Sequence, residues 1–271
     1  MTSEVIQVFQ DIIYSYFKQS GRKFPFRDKI KPYYVLISEI MLQQTQTSTV
    51  SEKFLNFINS FPDFEALSKA PKQKLLKAWQ GLGYNRRSIA LKTIAEKVIN
   101  EYDGKLPDSV ETLKKFPQIG HNTACSIVTF AFNKPTYFIE TNIRRVFIYF
   151  FFSNKKKVND KEILSLVEAT ADNKEPRKWY YALMDYGVML KKTHPELNKR
   201  SAHYRKQAQF KGSNREIRGK ILKILLNNKE ILITELQTQL NVENKRLISI
   251  LKQLEEEGFI ENNEMIIRIS N

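Results

Sequence analysis

Apolar residues recur at three- and four-residue spacing along most of the first 190 positions of this 271-residue chain. That period places them on one face of an α-helix. The pattern predicts ten helices, over 4–18, 34–43, 48–60, 73–79, 86–101, 109–115, 122–132, 142–152, 160–171 and 176–190. Between them stand short turn signals: Phe61-Pro62-Asp63, Gly81-Leu82-Gly83, Asp103-Gly104-Lys105-Leu106-Pro107 and Pro117-Gln118-Ile119-Gly120. Glycine and proline there interrupt the helical run and turn the chain. No alternating strand pattern breaks the series, so the expectation is an all-α domain over 1–190. Trp79 and Trp179 read as core residues.

After residue 190 the pattern changes twice. Residues 191–212 are basic and poor in apolar side chains, with seven Lys/Arg against one Glu between 191 and 211. They read as a basic linker or a segment facing a polyanion such as DNA. From 213 to 271 a separate unit follows. REIRGKILKILLNN is one amphipathic helix, ITELQTQLN a second with Thr234 as its N-cap, and NKRLISILKQLEEEG a third ending at Gly258. FIENNEMIIRIS then reads as two short strands around an Asn262-Asn263 turn. This layout resembles a winged-helix domain, in which the third helix often enters the DNA major groove. Here that helix carries Lys245, Arg246 and Lys252 but also Glu255, Glu256 and Glu257. Contact with DNA and contact with a protein surface are both open for this domain.

An apolar fraction of 42% with 12% aromatic residues is ample for a core. The net charge of +15 adds a functional clue. Residues 213–271 hold nine Lys/Arg and nine Asp/Glu; residues 1–212 hold the other 35 and 20, and so the whole excess. Such a balance suits a polyanionic partner, nucleic acid or an acidic membrane. No apolar stretch approaches the roughly 20 residues that span a bilayer, and the N-terminus lacks a basic leader and a small-residue cleavage site. Cys125 is the one cysteine, so neither an intramolecular disulfide nor a thiolate metal cluster is expected. His121, His194 and His203 are too scattered for a metal site. There is no Gly-rich nucleotide loop and no nucleophile elbow. The expectation is an intracellular, cytoplasmic protein without a membrane partner, nucleoid-associated if prokaryotic.

Two acids interrupt apolar runs. Glu39 lies in YYVLISEIMLQQTQT (33–47) and Glu140 in FIETNIRRVF (138–147). A lone acid in such a run usually points to solvent. Near them in the chain, FPQIGHNTACSI (116–127) joins two helices through Pro-x-x-Gly. Such a turn serves equally as an ordinary connection or as a row of backbone N–H groups that holds a phosphate. Desolvation raises a carboxyl pKa and leaves one acid able to donate a proton, while an ionised partner stabilises a developing cation. Cleavage of a glycosidic bond needs that division of labour.

SEIMLQQTQT, GLGY (81–84), FPQIGHNTA and FIETNIRRV, in that order and at these separations, resemble the helix–hairpin–helix DNA glycosylases, most of all the MutY-type adenine glycosylases. Arg22-Lys23-Phe24-Pro25-Phe26 and Leu183-Met184-Asp185-Tyr186-Gly187 fit as well, so the resemblance covers 4–190. It implies a two-lobed fold and hydrolysis of a mispaired base, adenine opposite 8-oxoguanine or guanine, from double-stranded DNA by a monomer. Glu39 matches the acid that protonates the adenine ring, and Glu140 stands at the second acid. Gln43 and Gln44, followed by Thr45, match residues that wedge into the duplex, and Tyr84 the aromatic that intercalates beside the opposing base. An extruded base leaves a gap that such side chains fill. Gln118, Gly120, His121, Asn122 and Thr123 match the hairpin that grips the backbone, with Arg144 as a further DNA contact. The hairpin often holds a monovalent cation, here through the carbonyls of Lys114, Phe116 and Ile119. Arg22, Leu42 and Asn122 fall at the base pocket. No other cofactor is implied.

The chain departs from this pattern in several places. The second acid is usually aspartate, and the first hairpin glycine is Gln118. The four-cysteine iron–sulfur cluster common after the catalytic domain has no counterpart in MLKKTHPELNKRSAHYRK, so no cluster is expected. Asn122 replaces the lysine through which bifunctional relatives cleave the strand, which implies hydrolysis without lyase chemistry. The winged-helix-like unit stands where adenine glycosylases usually carry a domain that recognises oxidised guanine. Asn122 also lies where relatives acting on mismatched thymine or uracil place a pocket side chain. A thymine/uracil mismatch glycosylase, or a non-catalytic DNA-binding protein on the same scaffold, are the alternatives.

Overall fold

The structure is a computed structural model that describes residues 1–206, 208–263 and 265–270. The chain forms two compact units, one of residues 1–43 and 105–206, the other of 44–104 and 207–271. Helices α1 (Ser3–Ser20), α2 (Pro25–Asp28) and α3 (Pro32–Leu42) begin the first unit. Helices α4 (Thr47–Ser60), α5 (Phe64–Ser68), α6 (Lys72–Trp79) and α7 (Arg86–Glu101) lie in the second. The first resumes with α8 (Val110–Leu113), α9 (His121–Phe132), α10 (Thr141–Phe151), α11 (Asp160–Thr170) and α12 (Pro176–Thr193). The second ends with α13 (Asn214–Asn227), β1 (Ile231–Leu232), α14 (Ile233–Leu240), α15 (Asn244–Glu256), β2 (Ile260–Asn263) and β3 (Ile266–Ile269).

All ten helices expected before residue 190 are present within a few residues. Two further ones, α2 and α5, were not visible in the pattern because a single turn is too short to show a period. Proline opens α2, α3 and α12, where its missing N–H costs nothing. Asp63, read as part of a turn, caps α5 by accepting from the Ala66 N–H at 2.8 Å.

In the first unit, Phe9 of α1 sits among the rings of Phe147, Phe150, Phe151 and Trp179 at 5.0–5.7 Å, binding α1, α10 and α12 into one core. At Gly187, α12 passes the first turn of α10 so closely that a Cβ would lie 2.4 Å from the Asn142 carbonyl oxygen. The segment read as a basic linker is partly built into this unit. Helix α12 runs on to Thr193, a 3-10 turn at Leu197–Arg200 buries Leu197, and Ser201 forms a parallel bridge with Val158. Arg200 donates to the carbonyls of Phe152, Ser153 and Lys155.

In the second unit the C-terminal residues form a winged helix with an antiparallel sheet of order β1-β3-β2. Two local expectations are corrected. Thr234 is not the N-cap of α14: the cap is Leu232, without a side-chain bond, because β1 runs straight into the helix and Ile233 N–H pairs with the Met265 carbonyl at 2.9 Å. Asn262 and Asn263 are strand residues in register with Ile267 and Ile266, and the turn follows them, with Met265 at φ +75°. Gly258, at φ +72°, does close α15. The module does not keep its core to itself: Leu76 of α6 is buried with Ile217, Ile221, Leu225, Leu247 and Leu254. Lys72 donates to the Gly258 carbonyl at 3.0 Å and to Ser270 Oγ at 2.7 Å, and Glu257 accepts from Arg86 and Arg218, both at 2.5 Å. The acids at the end of α15 thus include one that docks the module onto α7.

Candidate active site

Helix α3 is apolar nearly all round, with Val35, Leu36, Ile37, Ile40 and Met41 buried. Glu39 is half-buried among them. On α9 the Ser126 hydroxyl lies 2.6 Å from Glu39 Oε2 and 3.0 Å from the Thr123 carbonyl. A hydroxyl has one proton to give and lone pairs to accept with. It donates to Glu39 when the carboxylate is ionised, and to Thr123 when Glu39 is protonated and itself donates. Burial pushes the Glu39 carboxyl up to about 7; the Ser126 bond and the charge of Arg27 oppose the rise, while the charge of Glu140 adds to it.

Glu140 is the N-cap of α10. Its Oε1 accepts from the N–H groups of Asn142 and Ile143 at 2.7 and 2.9 Å, and its Oε2 from Asn142 Nδ2 at 3.2 Å. Burial raises its pKa, and the two backbone bonds with Arg145 and Arg144 counter that. The extra methylene relative to aspartate is taken up by folding the chain back onto its own helix start. One lone-pair direction of Oε2 remains for a substrate, in a place where the helix N-terminus favours negative charge. Arg145 fixes that first turn by donating to Asn142 Oδ1 at 2.8 Å and to the Gly187 carbonyl at 2.7 Å.

The LMDYG motif acquires a physical role here. Asp185, 1% exposed, accepts from the Arg22 N–H and Nε at 2.7 and 2.8 Å and from Arg27 at 3.1 Å. Arg27 lies 4.2 Å over the Tyr181 ring, and burial pushes the Tyr181 hydroxyl up to about 12. Asp185 therefore holds Arg27, whose charge tempers the rise at Glu39.

The hairpin lies beside these groups through direct bonds. Gln118 adopts φ +61°, the left-handed conformation that glycine takes without strain. Gln43 donates to the Gln118 carbonyl at 3.0 Å and approaches Thr123 Oγ1 at 3.3 Å. Asn122 donates to the Ile139 carbonyl at 2.8 Å, next to Glu140. Gly120 caps α9 without a side-chain bond, and a Cβ placed on it would meet nothing within 4 Å. The first intrahelical bond runs from Ala124 N–H to the Gly120 carbonyl at 2.9 Å, so the N–H groups of the first turn stand outside the helical ladder, beside exposed His121 and Asn122. The carbonyls of Lys114, Phe116 and Ile119 are neutral oxygen donors of the kind a monovalent cation takes, and that of Phe116 accepts from Ile119 N–H at 3.3 Å.

The second unit holds the GLGY loop. Gly81, Gly83 and Tyr84 have φ of +91°, +69° and +47°. A buried arginine braces them: Arg87, 3% exposed, donates to the carbonyls of Leu82 and Gly83 at 2.9 and 3.0 Å and to Thr45 Oγ1 at 3.0 Å. Burial pulls its pKa down to about 10, which leaves it a cation at neutral pH. Tyr84 is 38% exposed above this support.

The first unit thus joins Glu39, Glu140, Gln43, Gln118, Gly120, His121, Asn122 and Thr123, with Leu42 half-buried at the end of α3. In the second unit, Gln44 is exposed at φ +55°, and Thr45 spends its hydroxyl on the Leu82 carbonyl at 3.2 Å. Arg144 is held bidentately by Asp160 at 2.8 and 2.7 Å and ties α10 to α11. Sequence reading passed over Ser126, Arg27 and Arg87, and met Asp185 only as part of the Leu183-Met184-Asp185-Tyr186-Gly187 match. Asp185 carried the same signal as Glu39, an acid in an apolar helix.

A hairpin that enters a helix without a side-chain cap, beside two half-buried carboxyls, defines a helix–hairpin–helix fold. Residues 37–170 match the HhH-GPD superfamily base excision DNA repair protein family, and 214–261 match winged helix-turn-helix DNA-binding proteins. The adenine DNA glycosylase of Buchnera aphidicola subsp. Baizongia pistaciae is 36% identical over 197 residues, 70% of this chain and 55% of that protein. The thymine/uracil-DNA glycosylase of Methanothermobacter thermautotrophicus is 28% identical over 70% of this chain and 87% of its own length. The solved structure of a thermostable thymine-DNA glycosylase aligns with TM-score 0.62 and 28% identity over 68% of this chain and 86% of that one. An endonuclease III–DNA complex, 18% identical over 68% of this chain and 85% of its own, shares the fold with TM-score 0.58. Residues 37–170 belong to the HhH-GPD superfamily, and a winged helix follows them in the chain. The chain spans little more than half the length of its first adenine-glycosylase relative.

Proposed function

We propose that this chain is a monofunctional DNA glycosylase that hydrolyses the N-glycosidic bond of a mispaired adenine, opposite 8-oxoguanine or guanine in double-stranded DNA, and leaves an abasic site. The observation that carries this reading is Glu39: a carboxyl brought to about 7 by burial, beside a hydroxyl that suits both its protonation states. A group poised near neutral pH is an effective proton donor.

The geometry supports the following course. A flipped adenine takes the Glu39 proton on a ring nitrogen. The bond between C1′ and the base breaks, and its electron pair leaves with the base. The positive charge on the sugar is met by the Glu140 carboxylate at the start of α10. Water adds to C1′ and gives its proton to Glu39, which restores the acid. The first turn of α9 offers Asn122 rather than a lysine, so no amine forms a Schiff base and no lyase step follows. The open α9 terminus takes a backbone phosphate, and a monovalent cation at the hairpin carbonyls would add positive charge there. The partner is duplex DNA with a mispaired or damaged base, bound by a monomer. Among the described residues no helix is long and apolar enough to cross a membrane.

A second reading, removal of thymine or uracil from mispairs with guanine, is favoured by one observation. The chain covers 87% of the thymine/uracil relative against 55% of the adenine relative. One panel decides: duplexes with A·8-oxoG, A·G, T·G and U·G, incubated with full-length protein and treated with alkali. The first two are expected to break. Breakage of only the last two establishes the second reading, and breakage of none removes the enzyme reading in favour of a DNA-binding protein.

A further inference from the structure

We propose that Arg215, at the start of the winged helix, is a positioning residue for Tyr84, and that the C-terminal module thereby sets how the protein discriminates the base opposite its target. This rests on the glycosylase reading for the role of Tyr84 beside the opposing base.

The observations lie within the second unit. Arg215 Nη1 donates to the Tyr84 hydroxyl at 2.7 Å, and its guanidinium carbon stands 5.9 Å from the centroids of both Tyr84 and Phe210. Phe210 is 60% exposed, so two exposed aromatic rings flank one guanidinium. The arginine is itself held: Nη2 donates to the Ala208 carbonyl at 2.8 Å. The turn entering α13 is pinned by Arg246, which donates to the Gly212 carbonyl at 2.7 Å and to Asn214 Oδ1 at 2.9 Å. From below, Arg87 grips the backbone of the Tyr84 loop and lies 5.5 Å from the ring. Arg87 fixes where the tyrosine is rooted, and Arg215 fixes where its hydroxyl end points. A phenol held at both ends has a defined tilt, and an aromatic ring of defined tilt stacks differently on each base. The guanidinium retains donors in its plane, the type that pairs with the O6 and N7 acceptors of a purine. The module is anchored to the same unit through Leu76, Lys72 and Glu257, so it can transmit such a constraint.

The test is the affinity of full-length protein for four duplexes carrying a tetrahydrofuran abasic analogue opposite G, 8-oxoG, T or C, with wild type, Arg215→Ala, Tyr84→Phe and the double variant. Tyr84→Phe keeps the ring and removes only the hydroxyl. Wild type is expected to spread its affinities over the four duplexes. Each single variant compresses that spread at least fivefold, and the double variant compresses it no further, as for two halves of one interaction. If Arg215 only contacts a phosphate, Arg215→Ala weakens all four duplexes alike and flattens the salt dependence while Tyr84→Phe does nothing, and the proposal falls. It falls equally if the two effects multiply, or if wild type binds all four alike. Should Arg215→Ala fail to fold, Tyr84→Phe alone decides, by whether the spread narrows. The readout is binding, so a protein that cuts no mispair but shows the predicted compression loses the glycosylase reading while the positioning role stands.

Discussion

The two units hold their candidate functional groups by opposite means. In the first, both acids stand on or at the start of ordinary helix and the tension around them is electrostatic: two carboxyls are kept in apolar surroundings, one against a serine and one folded onto a helix start. In the second, the tension lies in the backbone. Three left-handed residues, Gly81, Gly83 and Tyr84, form a loop that a buried arginine holds by its carbonyls. The difference separates proton chemistry from shape. Changing a side chain in the first unit should alter a rate or a titration, whereas changing the brace in the second should alter a conformation.

The largest expected effect follows from the first unit. Glu39→Gln, which keeps size and removes the proton, lowers single-turnover excision about a thousandfold or more and leaves duplex binding intact. Retention of excision in that variant would break the comparison at its root. In the second unit, Arg87→Met removes the charged donor from the Leu82 and Gly83 carbonyls, which keep only Thr45 Oγ1 and Trp79 Nε1, and costs about 1–3 kcal/mol in urea unfolding. Amide exchange in 81–84 should rise most.

Glu39 also has a stability signature. Its carboxyl titrates at about 7 in the fold against an ordinary 4.5, so the folded state binds that proton more tightly. The stability it contributes is full below pH 4.5 and lost as pH rises through 7. Glu39→Gln is therefore more stable than wild type at pH 8, by about 3 kcal/mol, and the advantage vanishes by about pH 4. Denaturant melts at the two pH values measure it. The smallest effect is at the hairpin. Gln118→Gly relieves a left-handed side chain and stabilises by about 0.5–1 kcal/mol, with binding to DNA retained.

The sequence made the scaffold legible wherever a helix was long enough to show its period, and it marked both acids because each interrupts an apolar run. It did not show how the acids are held, since the partners come from elsewhere in the chain: Ser126 for Glu39, and Asp185 through Arg27. Arg87 was within reach. It shares the buried face of α7 with Ala90, Leu91 and Ile94, at the spacing of one helical stripe. Its neighbour Arg86 points instead to Glu257. Only that phase separates a brace from a surface cation. Arg144 stands as a DNA contact through the resemblance, and its bidentate partner Asp160 was not legible beside it because it lies one helix further on. Thr234 misled because a threonine before an apolar run suggests a cap, but strand pairing at Ile233 had already set where the helix begins.

The central claim, that Glu39 delivers a proton from a carboxyl tuned to about 7, is tested most directly by the pH profile of single-turnover excision between about pH 5 and 9. Wild type should hold its rate below the midpoint and lose about tenfold per pH unit above it. Ser126→Ala should move that fall to higher pH, because the lost hydrogen bond had favoured the ionised form. A rate independent of pH over that range, or a Ser126→Ala profile displaced toward acid, would contradict the account.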